Sequence, residues 1–107
     1  MTIRPEVEEL ISAGSLPNED AAVETIEEVQ RLIERISKPV TDEEGQALSA
    51  IFGPDGCFGL AWTLLHLIET APGAKDARYS EYSDNEWVKR LNERVEFGRR
   101  MKEEAEG

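Results

Sequence analysis

Residues 57–71, Cys57-Phe58-Gly59-Leu60-Ala61-Trp62-Thr63-Leu64-Leu65-His66-Leu67-Ile68-Glu69-Thr70-Ala71, are apolar on nearly every side if wound as a helix, yet they sit in a chain of formal net charge −11. Such a helix has to be wrapped by other elements, so the segment predicts the central post of a small helical domain with the rest of the chain as its coat. Its 15 residues fall short of the ~20 that cross a bilayer, and its flanks are polar. The 107 residues suit a single domain, 1–107, with a frayed tail at 103–107. The opening Met1-Thr2-Ile3-Arg4-Pro5-Glu6 has no charged stretch followed by an apolar run, which predicts no secretory signal. The single cysteine, Cys57, can form neither an internal disulfide nor a zinc site, and both features point to a cytoplasmic protein.

Helix signals recur along the chain, and no run alternates apolar and polar residues with β-branched enrichment. The first helix is expected over roughly Pro5 to Ala13, with Pro5 at a first-turn position and Gly14 at the stop. A second is expected from an Asn18 N-cap to about Ser37, its apolar face being Ala22, Val23, Ile26, Val29, Leu32, Ile33 and Ile36. On the opposite face, Glu27 to Arg31 and Glu34 to Lys38 have the i,i+4 spacing of ion pairs. Thr41-Asp42-Glu43-Glu44 reads as a capping box opening a third helix that ends near Phe52, with Gly53 as C-cap. Asp55 can cap the central helix, and Pro72-Gly73 ends it. Residues 74–82 form a loop with Tyr79 and Tyr82. Ser83 to Glu86 makes a second capping box, and the fifth helix runs to about Lys102 with Trp87, Val88, Leu91, Val95, Gly98 and Met101 inward. The fold class expected is therefore all-α, a compact bundle of about five helices around the central one.

The charge is unevenly spread. Residues 1–74 hold 14 acids against four bases, a balance of −10, whereas residues 75–107 hold nine acids against eight bases. A phosphate backbone or an anionic membrane would be repelled by the first part, and a basic protein attracted to it. Net charge of this size exceeds the ~2 to 8 common for a small domain.

No catalytic constellation accompanies this surface. His66-x-x-Glu69 has the spacing of helical metal ligands, but His66 is the only histidine, so neither a metal nor another cofactor is expected. Cys57 and His66 stand nine residues apart on one helix, ~13 Å at 1.5 Å per residue, and cannot act together. Drawn at 100° per residue, Gly59, Thr63, His66 and Thr70 fall in one stripe flanked by Trp62 and Glu69. That stripe is either a shallow groove, in which Gly59 admits a close approach, or the solvent edge of a core helix with His66 bonded to Glu69.

From Asp55 to Gly73 the chain resembles a segment of small bacterial proteins, some of which are similar to the immunity proteins of polymorphic or contact-dependent toxin systems. The likeness is a core-helix phrase and carries over no binding residue. It implies a protein that binds one cognate toxin, often a nuclease, and blocks it in the cytosol. The expectation is then a non-enzymatic acidic binding protein for a basic partner, through Glu24, Glu27, Glu28, Asp42, Glu43 and Asp55, with Trp62, Glu69, Tyr79 and Tyr82 as anchors. The alternatives are a homodimeric helical adaptor that pairs through the apolar surplus of the central helix, and a small-molecule domain that uses the groove near Thr63, His66 and Trp62.

Overall fold

Proline at a first helical turn gives up no hydrogen bond, because that N–H has no intrahelical partner. In the computed structural model, which describes residues 3–53, 56–79 and 84–106, α1 accordingly runs Pro5–Ser12 and buries Val7 and Leu10. It is followed by α2, Val23–Glu34, α3, Asp42–Ser49, α4, Leu60–Ile68, and α5, Glu86–Glu106. Single 3-10 turns occupy Cys57–Gly59 and Ala74–Asp76. Among the described residues there is no strand, and the chain is the expected small all-α domain.

The central segment is the post it was expected to be. Leu60, Ala61, Leu64, Leu65, Leu67 and Ile68 are all buried, while Gly59, Trp62, Thr63 and His66 form one exposed edge. Each such leucine contributes ~1.5 to 3 kcal/mol by leaving water. These leucines are core, so they are not available as the interface of an adaptor dimer. Packing proceeds from α2 to α1, α1 to α3, α3 to α4 and α4 to α5, with α5 also resting on the 74–76 turn.

The element ends differ from expectation for identifiable reasons. Asn18 does not cap α2: its side chain accepts from the Asp20 N–H at 2.9 Å and its carbonyl from the Ala21 N–H at 3.1 Å, closing a separate turn. Ala22 is then extended and the helix starts at Val23. α4 starts at Leu60 because Gly59 takes a left-handed φ of 94° that breaks the preceding turn from the helix. Glycine is needed there for its backbone, and a side chain in its place would meet nothing within 4 Å. Gly53 is not a C-cap, since α3 ends at Ser49. Its hydrogen instead admits the Leu16 carbonyl, with which a Cβ would collide. The predicted Ser83 cap lies outside the described residues. The α5 cap that is described is Asn85, whose Oδ1 accepts from the Trp87 N–H at 2.8 Å while its amide donates to the carbonyls of Phe52 and Gly53.

Two further features escaped the sequence. α5 continues to Glu106, and although Trp87, Val88 and Leu91 are buried, Gly98 and Met101 are exposed rather than inward. The capping box does form, with Glu44 accepting from the Thr41 N–H at 2.8 Å and Thr41 from the Glu44 N–H at 3.1 Å. Glu44 is also fully buried and clamps Arg4, its Oε2 3.0 Å from Nε and its Oε1 3.1 Å from the far guanidinium nitrogen. The Arg4 backbone N–H adds a third bond at 2.9 Å, and the guanidinium goes on to the Ser37 carbonyl at 3.0 Å. One carboxylate thereby joins the start of α1, the start of α3 and the loop between α2 and α3. Burial alone would push this carboxyl up. The Arg4 side chain and the Arg4 and Thr41 amides outweigh it and hold the pKa down at about 2.

Candidate protein-binding surface

Glu24, Glu27 and Glu28 lie exposed on α2. The i,i+4 pairs expected beside them do not form. Arg35 reaches across to Glu9 of α1 at 3.3 Å, and Glu34 accepts from Gln30 at 3.1 Å. Among the described residues, Glu24, Glu27 and Glu28 have no ion-pair partner. At 100° per residue the three span ~100° of the helix, Glu28 turning toward α1 and Glu27 toward α4. Asp42 and Glu43 are exposed at the first turn of α3, where Asp42 accepts from the Gly73 N–H at 2.7 Å and so pins the turn after α4.

Between α2 and α4 runs a cleft in two sections that share Glu34 and Thr63. One, of about 370 Å³, is lined by Ile33, Glu34, Ile36, Lys38, Thr63, His66 and Leu67. The other, of about 250 Å³, is lined by Ile26, Gln30, Glu34, Cys57, Gly59, Leu60 and Thr63. The polar stripe of the central helix is thus one wall of a groove. On its other flank, toward α5, Trp62 is 40% exposed and meets Trp87 edge-on at 5.2 Å. The Arg90 guanidinium sits 5.1 Å from the Trp62 ring and 4.6 Å from that of Trp87, a cation shared by two π faces. His66 is tilted against Trp62 at 5.9 Å.

Two expected anchors are committed elsewhere. Glu69 bonds to neither His66 nor solvent alone: Arg94 grips it with two nitrogens, at 2.7 and 3.0 Å, and that hydrogen bond raises the Arg94 pKa against the effect of burial. Tyr79 is only 2% exposed and presents no surface to a partner. It is drawn inward because the Asn92 side chain pairs with its backbone, accepting from the N–H at 2.9 Å and donating to the carbonyl at 3.4 Å. Burial, then the nearby charges of Glu69 and Asp42, push the Tyr79 phenol up to about 12. Asp55 and Tyr82 lie outside the described residues.

The structure therefore does not gather the eight sequence candidates among the described residues into one patch. The glutamates of α2 form one group, Asp42 and Glu43 a second at the α3 terminus, and Trp62 and Glu69 a third against α5. Arg90 and Asn92 escaped the sequence reading, because an arginine and an asparagine on a helix show no pattern until the facing element is known. Among the described residues, no three His, Cys, Asp or Glu are grouped to hold a metal and no helix is long and apolar enough to cross a membrane. Comparison with family models, curated proteins and solved structures returned no match.

Proposed function

We propose that this chain is a binding protein that captures a basic protein partner on the acidic side of α2, as an immunity protein captures the toxin domain, such as a nuclease, that it neutralises. The observation that supports the reading is the row of exposed carboxylates at Glu24, Glu27 and Glu28, which form no ion pair among the described residues, in a segment, residues 1–74, that carries −10. Uncompensated like charges on one helix cost self-repulsion in the folded chain and gain rate when a cationic surface approaches. The short segment from Asp55 to Gly73 that resembles immunity proteins supports the same role, and it is the sole support for the toxin class.

The test uses the basic protein recovered from source cells on the immobilised chain. Reversing Glu24, Glu27 and Glu28 to lysine should leave folding intact, since exposed charges contribute little to stability. Association at low salt should slow by ~10-fold or more, and the difference should close as the Debye length falls from ~10 Å at 0.1 M to ~3 Å at 1 M. An association rate indifferent both to salt and to the three reversals would refute the reading.

A further inference from the structure

The larger section of the cleft between α2 and α4, at about 370 Å³, falls within the ~300 to 1,000 Å³ of small-molecule sites. Its floor is apolar, made by the buried side chains of Ile33, Ile36 and Leu67. Its walls are four exposed polar side chains: Glu34 at the end of α2, Lys38 on the loop that follows, and Thr63 and His66 on α4. The fold leaves these four largely uncommitted. Glu34 accepts from Gln30 through Oε1, at 3.1 Å, and among the described residues its Oε2 has no partner and neither Lys38 nor His66 takes part in a hydrogen bond or an ion pair. Thr63 donates its hydroxyl proton to the Gly59 carbonyl at 3.1 Å, so its oxygen keeps the capacity to accept.

The two walls are also fixed relative to each other. The Arg4 guanidinium, itself held by Glu44, donates to the carbonyls on either side of Lys38, that of Ser37 at 3.0 Å and that of Pro39 at 3.4 Å. Next along the chain, the Val40 N–H donates to Thr70 Oγ1 at 3.0 Å, and the Thr70 hydroxyl donates to the Leu67 carbonyl at 2.6 Å. The loop that carries Lys38 is thereby tied to the end of the helix that carries His66. Polar groups whose backbone is held in place before a ligand arrives lose less conformational freedom when it binds.

We propose that this cleft binds a small zwitterion with an apolar body, of the class of a free α-amino acid with an aliphatic or aromatic side chain. Lys38 and a ring N–H of His66 receive its carboxylate, and Glu34 Oε2 and Thr63 Oγ1 receive its ammonium, while its side chain lies on Ile33, Ile36 and Leu67. The reversed orientation would set carboxylate against Glu34 and ammonium against Lys38. A simple anion would likewise meet Glu34 and a simple cation Lys38, so a ligand that carries both charges a few bonds apart is the one that satisfies both walls of so small a depression. Glu24, Glu27 and Glu28 do not line the cleft, and the proposal does not rest on the basic-partner reading.

Calorimetric titration of the full chain with leucine and with phenylalanine tests the site, and amide NMR shifts locate it. At least one of the two should bind saturably, with the shifts concentrated at residues 33–38 and 63–67. The N-acetyl derivative of whichever binds, which lacks the cation, and its amide, which lacks the carboxylate, should each bind ~10-fold or more weakly. Lys38→Met and Glu34→Gln, both at exposed positions, should weaken the amino acid to a similar degree with an unchanged helical spectrum. Lys38→Met should then have little further effect on the amide, and Glu34→Gln little on the N-acetyl compound, because the contact each removes is already missing. No saturable binding of either amino acid at millimolar concentration would overturn the proposal. So would derivatives that bind as tightly as the parent, shifts centred elsewhere on the molecule, or substitutions that keep the fold and leave the affinity unchanged.

Discussion

Replacing Glu44 with glutamine keeps the shape of the side chain and removes its charge, which isolates the buried clamp that joins α1, α3 and the loop between α2 and α3. In the folded chain the carboxyl titrates at about 2, against 4.5 for the free group. A folded pKa below the unfolded one contributes stability that is fully present above pH ~4.5 and drains away as pH falls toward 2. At 1.36 kcal/mol per unit the difference is of the order of 3 kcal/mol, a large share of the ~5 to 15 kcal/mol that holds a domain folded. The glutamine variant should lose ~2 to 4 kcal/mol at neutral pH, since its amide nitrogen would face a guanidinium or an N–H where an acceptor is required. Urea unfolding at a series of pH values reads both effects. The wild type should weaken from pH ~5 downward, and the gap to Glu44→Gln should narrow over the same interval until the two curves meet near pH 2. Other carboxylates titrate in both proteins, so only the difference between the curves reports on Glu44. A variant within ~0.5 kcal/mol of wild type at neutral pH, or a gap independent of pH, would show that the clamp contributes no more than a surface pair.

The core of α4 gives a second expectation: Leu64→Ala or Leu65→Ala, each at a fully buried site, should cost ~2 to 5 kcal/mol in denaturant unfolding, and losses below ~1 kcal/mol at both would contradict the central-post packing. Tyr79 titrates at about 12 in the folded chain against 10.0 for the free phenol, a raised value whose stabilisation is intact below pH 10.0 and is lost as pH climbs through 12. Ultraviolet titration should accordingly show one of the two tyrosines ionising late, with Tyr79→Phe deleting that step, and a common midpoint near the free value would refute it. At Gly53 a methyl group would collide with the Leu16 carbonyl, so Gly53→Ala should lose ~1 to 3 kcal/mol, and an unchanged urea midpoint would mean that the two backbone segments are not in contact.

Much of the architecture is legible in the sequence because it is governed by neighbours three or four residues apart. The Thr41 and Glu44 capping box, the burial of Leu60, Ala61, Leu64, Leu65, Leu67 and Ile68 and the exposed stripe of Gly59, Thr63 and His66 all follow from helical period and cap chemistry, which act within one or two turns. Helix ends were less legible, since Asn18 can either cap a helix or close its own turn with Asp20, and nothing local chooses between the two.

What tertiary structure alone decided is where each charge and ring finds its partner. Glu44 meets Arg4 across 40 residues, Glu69 meets Arg94 across 25, and Tyr79 is drawn inward by Asn92 13 residues on. Those pairings set which acids remain free for a partner and which aromatic groups remain exposed. They depend on how α1, α3, α4 and α5 come to lie against one another, and a carboxylate's strongest interaction is with whichever cation the fold brings within ~4 Å, at whatever distance along the chain.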